Sequence, residues 1–316
     1  MTIDKLYNIF LTEKEVSCSS ETIVYYSYNL NRFINYLTEL KGCSSCDIDI
    51  TEVDRGIIGD FILSLRSSNC YATHPTITSD HRIKNTSINT YMRAVKIFIN
   101  WCYLEGFLEA DLFRSVKLPK QDPANVIPLY TAEVARIDSC FNLKTESGLR
   151  NWCILHLMLD IGLRRGEVIG LQLNNIMFDK NIIYVYGKGG KYRIVPLVPR
   201  LKSNLYRYCV LYRSLTDSEN VFVKVGSMDY INKSTINQLF RRIKLSTGID
   251  RLHPHLLRHT FATSYILGGG NLEFLRLLMG HSDYNITKRY LHLANQCSLL
   301  QADLYKLDSS FFKKLY

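Results

Sequence analysis

The sequence predicts a mainly α-helical protein with one small β-sheet, divided between two domains. Three observations carry that expectation. Apolar residues recur at helical spacing through residues 21–112, a stretch holding Pro119, Pro123 and Pro128 interrupts the pattern, and the helical pattern then resumes around one pair of β-rich runs. At 316 residues, 47% of them hydrophobic, the chain is long for a single core and rich enough to bury two.

Ile23, Tyr26, Leu30, Phe33, Ile34 and Leu37 share one face of a helix over 21–40 that starts after Ser19-Ser20. Thr51 followed by Asp54 resembles a capping box, and Val53, Ile57, Phe61, Ile62 and Leu65 continue as a second amphipathic helix. Residues 66–86 are polar, contain Pro75 and read as a loop. Ile88, Tyr91, Val95, Phe98, Ile99 and Cys102 mark a third helix, and Leu104 to Leu112 suggests a short fourth. The N-terminal domain, 1–116, is therefore expected to be all helical. Proline removes backbone donors and disfavours helix, so 117–128 reads as a semi-extended linker.

In the second domain, 129–316, Thr131 opens a helix through Phe141, and residues 149–161 form a strongly apolar one ending at Gly162. Residues 182–186 and 192–197 are β-rich and meet across Lys188-Gly189-Gly190-Lys191. Glycine reaches positive φ without penalty, so a hairpin with lysines at its tip is expected there. Further helices are expected over 199–213, 234–246, 255–267, 271–279 and 284–291.

A formal charge of +10, from 39 Lys and Arg against 29 acids spread along the chain, favours a polyanionic partner, nucleic acid first. Nine cysteines, an odd number without regular spacing, fit a reducing compartment better than a disulfide scaffold. Cys43-Ser44-Ser45-Cys46 is half of a zinc motif, but no second Cys or His pair follows at ligand spacing, so no metal is expected. No apolar run is long enough to span a bilayer, and Met1-Thr2-Ile3-Asp4-Lys5 lacks a signal-peptide pattern. The expectation is a cytoplasmic protein with no membrane partner.

The chemistry-bearing strings lie in the second domain. They are Gly162-Leu163-Arg164-Arg165-Gly166-Glu167, Gly187-Lys188-Gly189, His255-Leu256-Leu257-Arg258-His259, Gly280-His281-Ser282-Asp283 and Thr287-Lys288-Arg289-Tyr290-Leu291-His292. Imidazoles, guanidiniums and a phenol in a basic chain are suited to holding a phosphodiester and attacking it. Each string alone is weak. In order, with separations of 24 residues from Arg164 to Lys188, 26 from His255 to His281 and 9 from His281 to Tyr290, they resemble the tyrosine recombinase, or phage integrase, family over nearly the whole chain.

The resemblance implies a helical core-binding (SAM-like) domain followed by a tyrosine-recombinase catalytic domain. It implies a site-specific recombinase of compact, Xer-like type that cleaves and rejoins DNA through a 3′-phosphotyrosine, needing no cofactor, metal or ATP. Arg164 and Arg258 are then the guanidinium clamp on the non-bridging oxygens, supported by His281. Tyr290 is the nucleophile, His255 its base, and Lys188 the donor to the leaving 5′ oxygen, with Lys191 a nearby decoy. Glu167 orients Arg164 rather than acting on substrate. The chemistry agrees: a phenol with a reference pKa of about 10 needs help to ionise, and arginine forks donate paired hydrogen bonds that lysine lacks.

The family also implies double-stranded recombination sites as partners and a homotetramer in the synaptic complex, monomeric or dimeric when free. Accessory DNA-bending proteins are a further partner class. A terminal helix over about 293–316, with Leu293, Leu299, Leu300, Leu304 and Leu307, is expected to pass to a neighbouring subunit. No arm-site-binding domain is expected ahead of the core-binding helices. Lys84, Arg93, Lys96, Lys117, Lys120, Lys191, Arg241 and Arg242 are candidate DNA contacts, each also readable as a solvated charge.

Plainer readings stand beside these. Arg164 reads as a surface charge, His255 as a helix cap after Pro254, and Tyr290 as one of 21 tyrosines filling a core. His259 reads as a packing or hydrogen-bonding residue. Arg165 departs from the family pattern, which has an apolar or small residue there. The rival activities are a type IB topoisomerase, a catalytically silent DNA-binding protein and a metal-dependent nuclease.

Overall fold

The computed structural model describes residues 1–68, 82–120, 126–187, 190, 192–227, 229–299 and 304–306. The chain divides into two compact units, Met1–Ala124 and Asn125–Tyr316.

In the first unit, α1 (Ile3–Ser17), α2 (Ser20–Lys41), α3 (Arg55–Ser67) and α4 (Asn85–Leu104) close around one apolar core. Phe10 sits at its centre, edge-on to Tyr26 and Phe98 with ring centroids 5.4 Å away in each case. Such edge-to-face pairs add about 0.5–1.5 kcal/mol each beyond their buried area. Helix α1 was not expected. Its stripe of Ile3, Leu6 and Phe10, all fully buried, is short and runs straight into the charged Thr12–Glu15 segment.

Two local expectations are corrected here. The capping box is Asp49 with Glu52, closing a single 3-10 turn, while Asp54 caps α3 by accepting from the Ile57 N–H at 2.8 Å. Leu104–Leu112 is not a helix. Gly106 takes φ +79, Phe107 N–H reaches back to Cys102 O, and Asp111 Oδ1 accepts from Phe113 N–H, so the chain reverses instead of continuing. Of the 66–86 loop, residues 69–81 lie outside the described residues, and its ends belong to α3 and α4.

The second unit is built on α6 (Glu146–Leu159), whose residues 152–159 are all buried. A helix apolar on every side must be covered on every side. Around its core lie α5 (Thr131–Ser139), α8 (Pro199–Arg207), α9 (Lys233–Thr247), α10 (Pro254–Leu267), α11 (Leu272–Met279) and α12 (Tyr284–Leu299). The expected 199–213 helix is α8 followed by a π-helical turn, Tyr208–Tyr212. The hairpin forms as expected, with β2 (Ile182–Tyr186) antiparallel to β3 (Tyr192–Pro196) and Ile183 opposite Val195. A two-residue strand, β1 (Ile176–Met177), adds a third antiparallel strand too short to announce itself by alternation.

Of the expected terminal helix over about 293–316, residues 300–303 and 307–316 lie outside the described residues. Leu293 belongs to α12, the same helix as Tyr290, and residues 304–306 are extended. Leu304 bridges Tyr130, Tyr305 N–H donates to Leu129 O at 3.0 Å, and Tyr305 Oη donates to Asp160 Oδ1 at 2.9 Å.

Beneath that seat His156, fully buried, is bonded through Nδ1 to Asp160 at 2.8 Å and through Nε2 to Asp138 at 2.7 Å, with Arg200 on Asp138. Burial alone would lower its pKa, but the two carboxylates win and raise it to about 9. A group raised above its unfolded value of about 6.5 stabilises fully below that pH and loses its contribution as pH climbs through the folded value. Thermal melts are therefore expected to fall between pH 6.5 and 9.5 in the wild type. His156→Gln should remove that slope, and a slope unchanged by the substitution contradicts a charged His156.

Candidate active site

Arg164 is the residue on which α7 (Arg165–Ile169) begins, extended at φ −75 and ψ 151. Glu167, three residues on, folds back to accept from Arg164 N–H at 2.7 Å and from Arg164 Nη1 at 2.9 Å. Glu167 thus holds both the backbone and the guanidinium of Arg164. Arg164 Nη2 reaches Gly280 O at 3.0 Å, and the side chain keeps 36% of its surface exposed. A guanidinium has five donors, so this arrangement leaves some facing outward.

Glu167 has a second partner that the sequence reading missed. Arg193, on β3, places Nη1 and Nη2 on its two carboxylate oxygens at 2.7 Å each. Burial raises the pKa of Glu167, but Arg193 and then Arg164 outweigh it and hold it down to about 2. The signal was present in the strand alternation: Arg193 shares a face with the buried Val195, so a charge points inward there and must be paired.

Arg258 lies one turn into α10 and is 5% exposed. Its Nη1 donates to Gly162 O, and its Nη2 donates to Met279 O at 2.5 Å and to His281 Nε2 at 3.2 Å. Arginine has only donors, so His281 Nε2 must accept, which leaves the proton on Nδ1 to donate to Thr287 Oγ1 at 2.9 Å. The neutral ring fits its surroundings: burial and the Arg258, Arg164 and Arg193 charges push its pKa down to about 4. Thr287, fully buried on α12, is a further residue that sequence reasoning did not pick out.

Gly162 makes the Arg258 contact possible. It adopts φ +69, and a Cβ there would fall 2.4 Å from Phe261 Cδ1. Gly162→Ala is expected to lower stability by about 2 kcal/mol or more, combining backbone strain with overpacking. Denaturant unfolding reads the loss, and an unchanged midpoint contradicts this close approach.

Tyr290 is 7% exposed on α12. Its ring lies parallel to His281, centroids 6.3 Å apart, and 5.4 Å from the ring of His259. Burial raises the phenol's pKa, with Arg258, Arg164 and Arg289 pulling against it. His259 therefore packs on the phenol, and burial with the charges of His255, His253 and Arg258 takes its own pKa to about 4. His255, one turn before His259, is exposed, and partial desolvation with the charges of His253, Arg258, Arg165 and Arg164 lowers its pKa. It is not the helix cap: Pro254 is the first helical residue and His253 precedes it.

The fold thus gathers Arg164, Glu167, His255, Arg258, His281 and Tyr290 in one region, bordered by a cavity of about 990 Å³ along β2, β3 and α7. Lys188 and Lys191 lie outside the described residues. Arg165 donates to Asn237 Oδ1 at 2.9 Å, tying α7 to α9. Lys84, Arg93, Lys96, Lys117 and Lys120 are exposed on the first unit, and Arg241 and Arg242 on α9. Arg93 and Lys96, three residues apart on α4, share a face. Cys43 and Cys46 are both exposed and unbridged, and no group of three metal-ligating side chains occurs among the described residues.

Chemically the region offers two cations, a neutral imidazole and a buried phenol, an arrangement that favours charge developing on a phosphate. Comparison with known proteins points the same way. The phage integrase family profile matches residues 129–296. A tyrosine recombinase of Pseudothermotoga lettingae is 28% identical over 88% of this chain and 89% of its own length. Tyrosine recombinase XerC of Corynebacterium glutamicum is 32% identical over 66% and 68%. Among solved structures, the Tn1549 transposon integrase with circular intermediate DNA aligns with a TM-score of 0.72 at 18% identity, covering 92% of this chain and 95% of that one. A lambda integrase dimer bound to a core site aligns at 0.67 and 15%, with the same coverage. At those identities the structural likeness concerns the fold, mainly helical with a small antiparallel sheet.

Proposed function

This chain belongs to the phage integrase family and is a site-specific DNA recombinase of the tyrosine type, and from that premise we propose that Tyr290 attacks a DNA phosphodiester held by Arg164 and Arg258. The observation that carries the assignment is the parallel pair of His281 and Tyr290 rings. The buried guanidinium of Arg258 is bonded to that same neutral imidazole.

In the forward step a bond forms between Tyr290 Oη and phosphorus, and the bond from phosphorus to the 5′ oxygen breaks. The phenolic proton passes to His255, whose lowered pKa keeps it unprotonated and able to accept near neutral pH. The 5′ oxygen takes a proton from Lys188. Arg164 presents its exposed donors to the non-bridging oxygens, while Arg258 exchanges at least one carbonyl contact for a phosphate oxygen. His281 does not act as a base here, since its Nε2 is occupied by Arg258. Rejoining is the reverse, with a 5′ hydroxyl attacking the phosphotyrosine, so bond energy is conserved without ATP.

The first unit, by this reading, grips the duplex around the cut, with Lys84, Arg93, Lys96, Lys117 and Lys120 on phosphates, and Lys191, Arg241 and Arg242 doing the same from the second. Each such contact adds about one to the slope of log affinity against log salt. The active assembly is a homotetramer on two double-stranded sites, with accessory DNA-bending proteins as additional partners. In it the chain beyond Leu299 passes to a neighbour, whose Leu129–Thr131 and Asp160 receive it. Deleting residues 298–316 is expected to abolish recombination while leaving monomer binding to DNA intact. Unaltered recombination contradicts the exchange.

A duplex nicked beside the cut tests the reading as a whole, because the short leaving strand diffuses away and the protein stays covalently attached. Trapping is expected in EDTA and without ATP, and exchange is expected when two intact sites are supplied. A protein that binds without trapping, or relaxes supercoils without ever exchanging sites, overturns it.

A further inference from the structure

Four successive carbonyls where α11 ends are each held by a different arginine. Arg193 Nε donates to Leu278 O at 2.7 Å, Arg258 to Met279 O, Arg164 to Gly280 O at 3.0 Å and Arg276 to His281 O at 3.0 Å. The last carbonyls of a helix lack intrahelical partners and carry the negative end of its dipole, so cations gather there naturally. Of the four, Arg193 alone comes from the hairpin strand, and it alone also grips Glu167 with both terminal nitrogens.

We propose that Arg193 is a positioning residue for strand cleavage, locking Glu167 and the end of α11 so that Arg164 and His281 stand at working distance. The inference rests on the phosphotyrosine reading above. Glu167 has its two oxygens shared between Arg164 on one side and Arg193 on the other. Without Arg193 a carboxylate whose side chain is 7% exposed faces Arg164 alone and is free to tilt, taking the guanidinium with it. The fit is tight: a Cβ at Gly280, itself at φ +61, would lie 3.1 Å from Arg193 Cδ.

Arg193→Gln, which keeps length and loses charge and fork, is tested in single-turnover cleavage of the nicked duplex with protein saturating. The expected result is a rate about 50-fold lower, with DNA affinity within about threefold of wild type. On an Arg164→Lys background the same change is expected to cost less than about threefold, because both substitutions act on one unit. Its rate should also recover partly as pH rises from 5 to 7, since Glu167 without Arg193 is less firmly held ionised. The wild type gains rate over the same range only as His255 loses its proton, so it is the ratio of variant to wild type that should recover. If Arg193→Gln does not fold, Arg193→Lys, which retains the charge and loses the bidentate grip, carries the rate, affinity and double-variant measurements without the pH effect. Cleavage within threefold of wild type, or a full multiplicative loss on the Arg164→Lys background, overturns the proposal. Wild-type trapping in the same assay keeps that outcome separate from a failure of the phosphotyrosine reading.

Discussion

Arg258→Lys is expected to slow strand cleavage by about a thousandfold, roughly 4 kcal/mol of transition-state stabilisation, while DNA affinity changes by only a few-fold. The reason begins with burial. Arg258 is 5% exposed, and desolvation with the neighbouring Arg164 charge lowers its pKa to about 9, where it remains cationic at neutral pH. A lysine starts from about 10.4, so the same burial and the Arg164 charge hold its ammonium less firmly than the guanidinium. It also cannot satisfy Gly162 O, Met279 O and His281 Nε2 while pointing donors at a phosphate, because its donors radiate from one atom. Single-turnover cleavage across pH 6–9 checks both parts. The lysine variant should be less impaired at lower pH, where its ammonium is retained, and equal impairment throughout points to lost geometry alone.

Tyr290→Phe should remove covalent attachment altogether, with cleavage reduced by about 10⁴-fold or more. The ring and its packing on His281 and His259 survive the change, so stability is expected to stay within about 1 kcal/mol. Binding to the duplex should be retained. Tyr290 lies against His281 of its own chain, which in turn meets Arg258, so under the proposed reading each protomer is expected to cut with its own tyrosine. Mixing Tyr290→Phe with an Arg258→Ala protein is therefore expected to yield no cleavage on a single site. Restored cleavage would mean that the nucleophile is delivered from another copy.

The parts of this site that were legible in the sequence are those whose chemistry restricts residue type. Two guanidiniums, a phenol and histidines at fixed separations leave few alternatives, and the helices that carry them are long and periodic. Arg193 and Thr287 were hidden because they act on other side chains rather than on the reaction. An inward-facing arginine in Tyr192-Arg193-Ile194-Val195 reads as ordinary alternation until Val195 is seen to be buried. Thr287 reads as one more hydroxyl on a helix until His281 is placed over it. Among the elements, Leu104–Leu112 misled because its apolar content belongs to a turn: Leu108 and Phe113 are buried, yet Gly106 has already ended α4. The 304–306 segment could not be anticipated either, since its partners Leu129, Tyr130 and Asp160 lie more than 140 residues away in the chain.

The most direct test digests the protein trapped on a nicked duplex and identifies, by mass spectrometry, which peptide carries the nucleotide remnant and through which phosphate. The expected product is a 3′-phosphate ester on Tyr290, with a free 5′ hydroxyl on the released strand. A remnant on any other residue, or a 5′-phosphate linkage, contradicts the account.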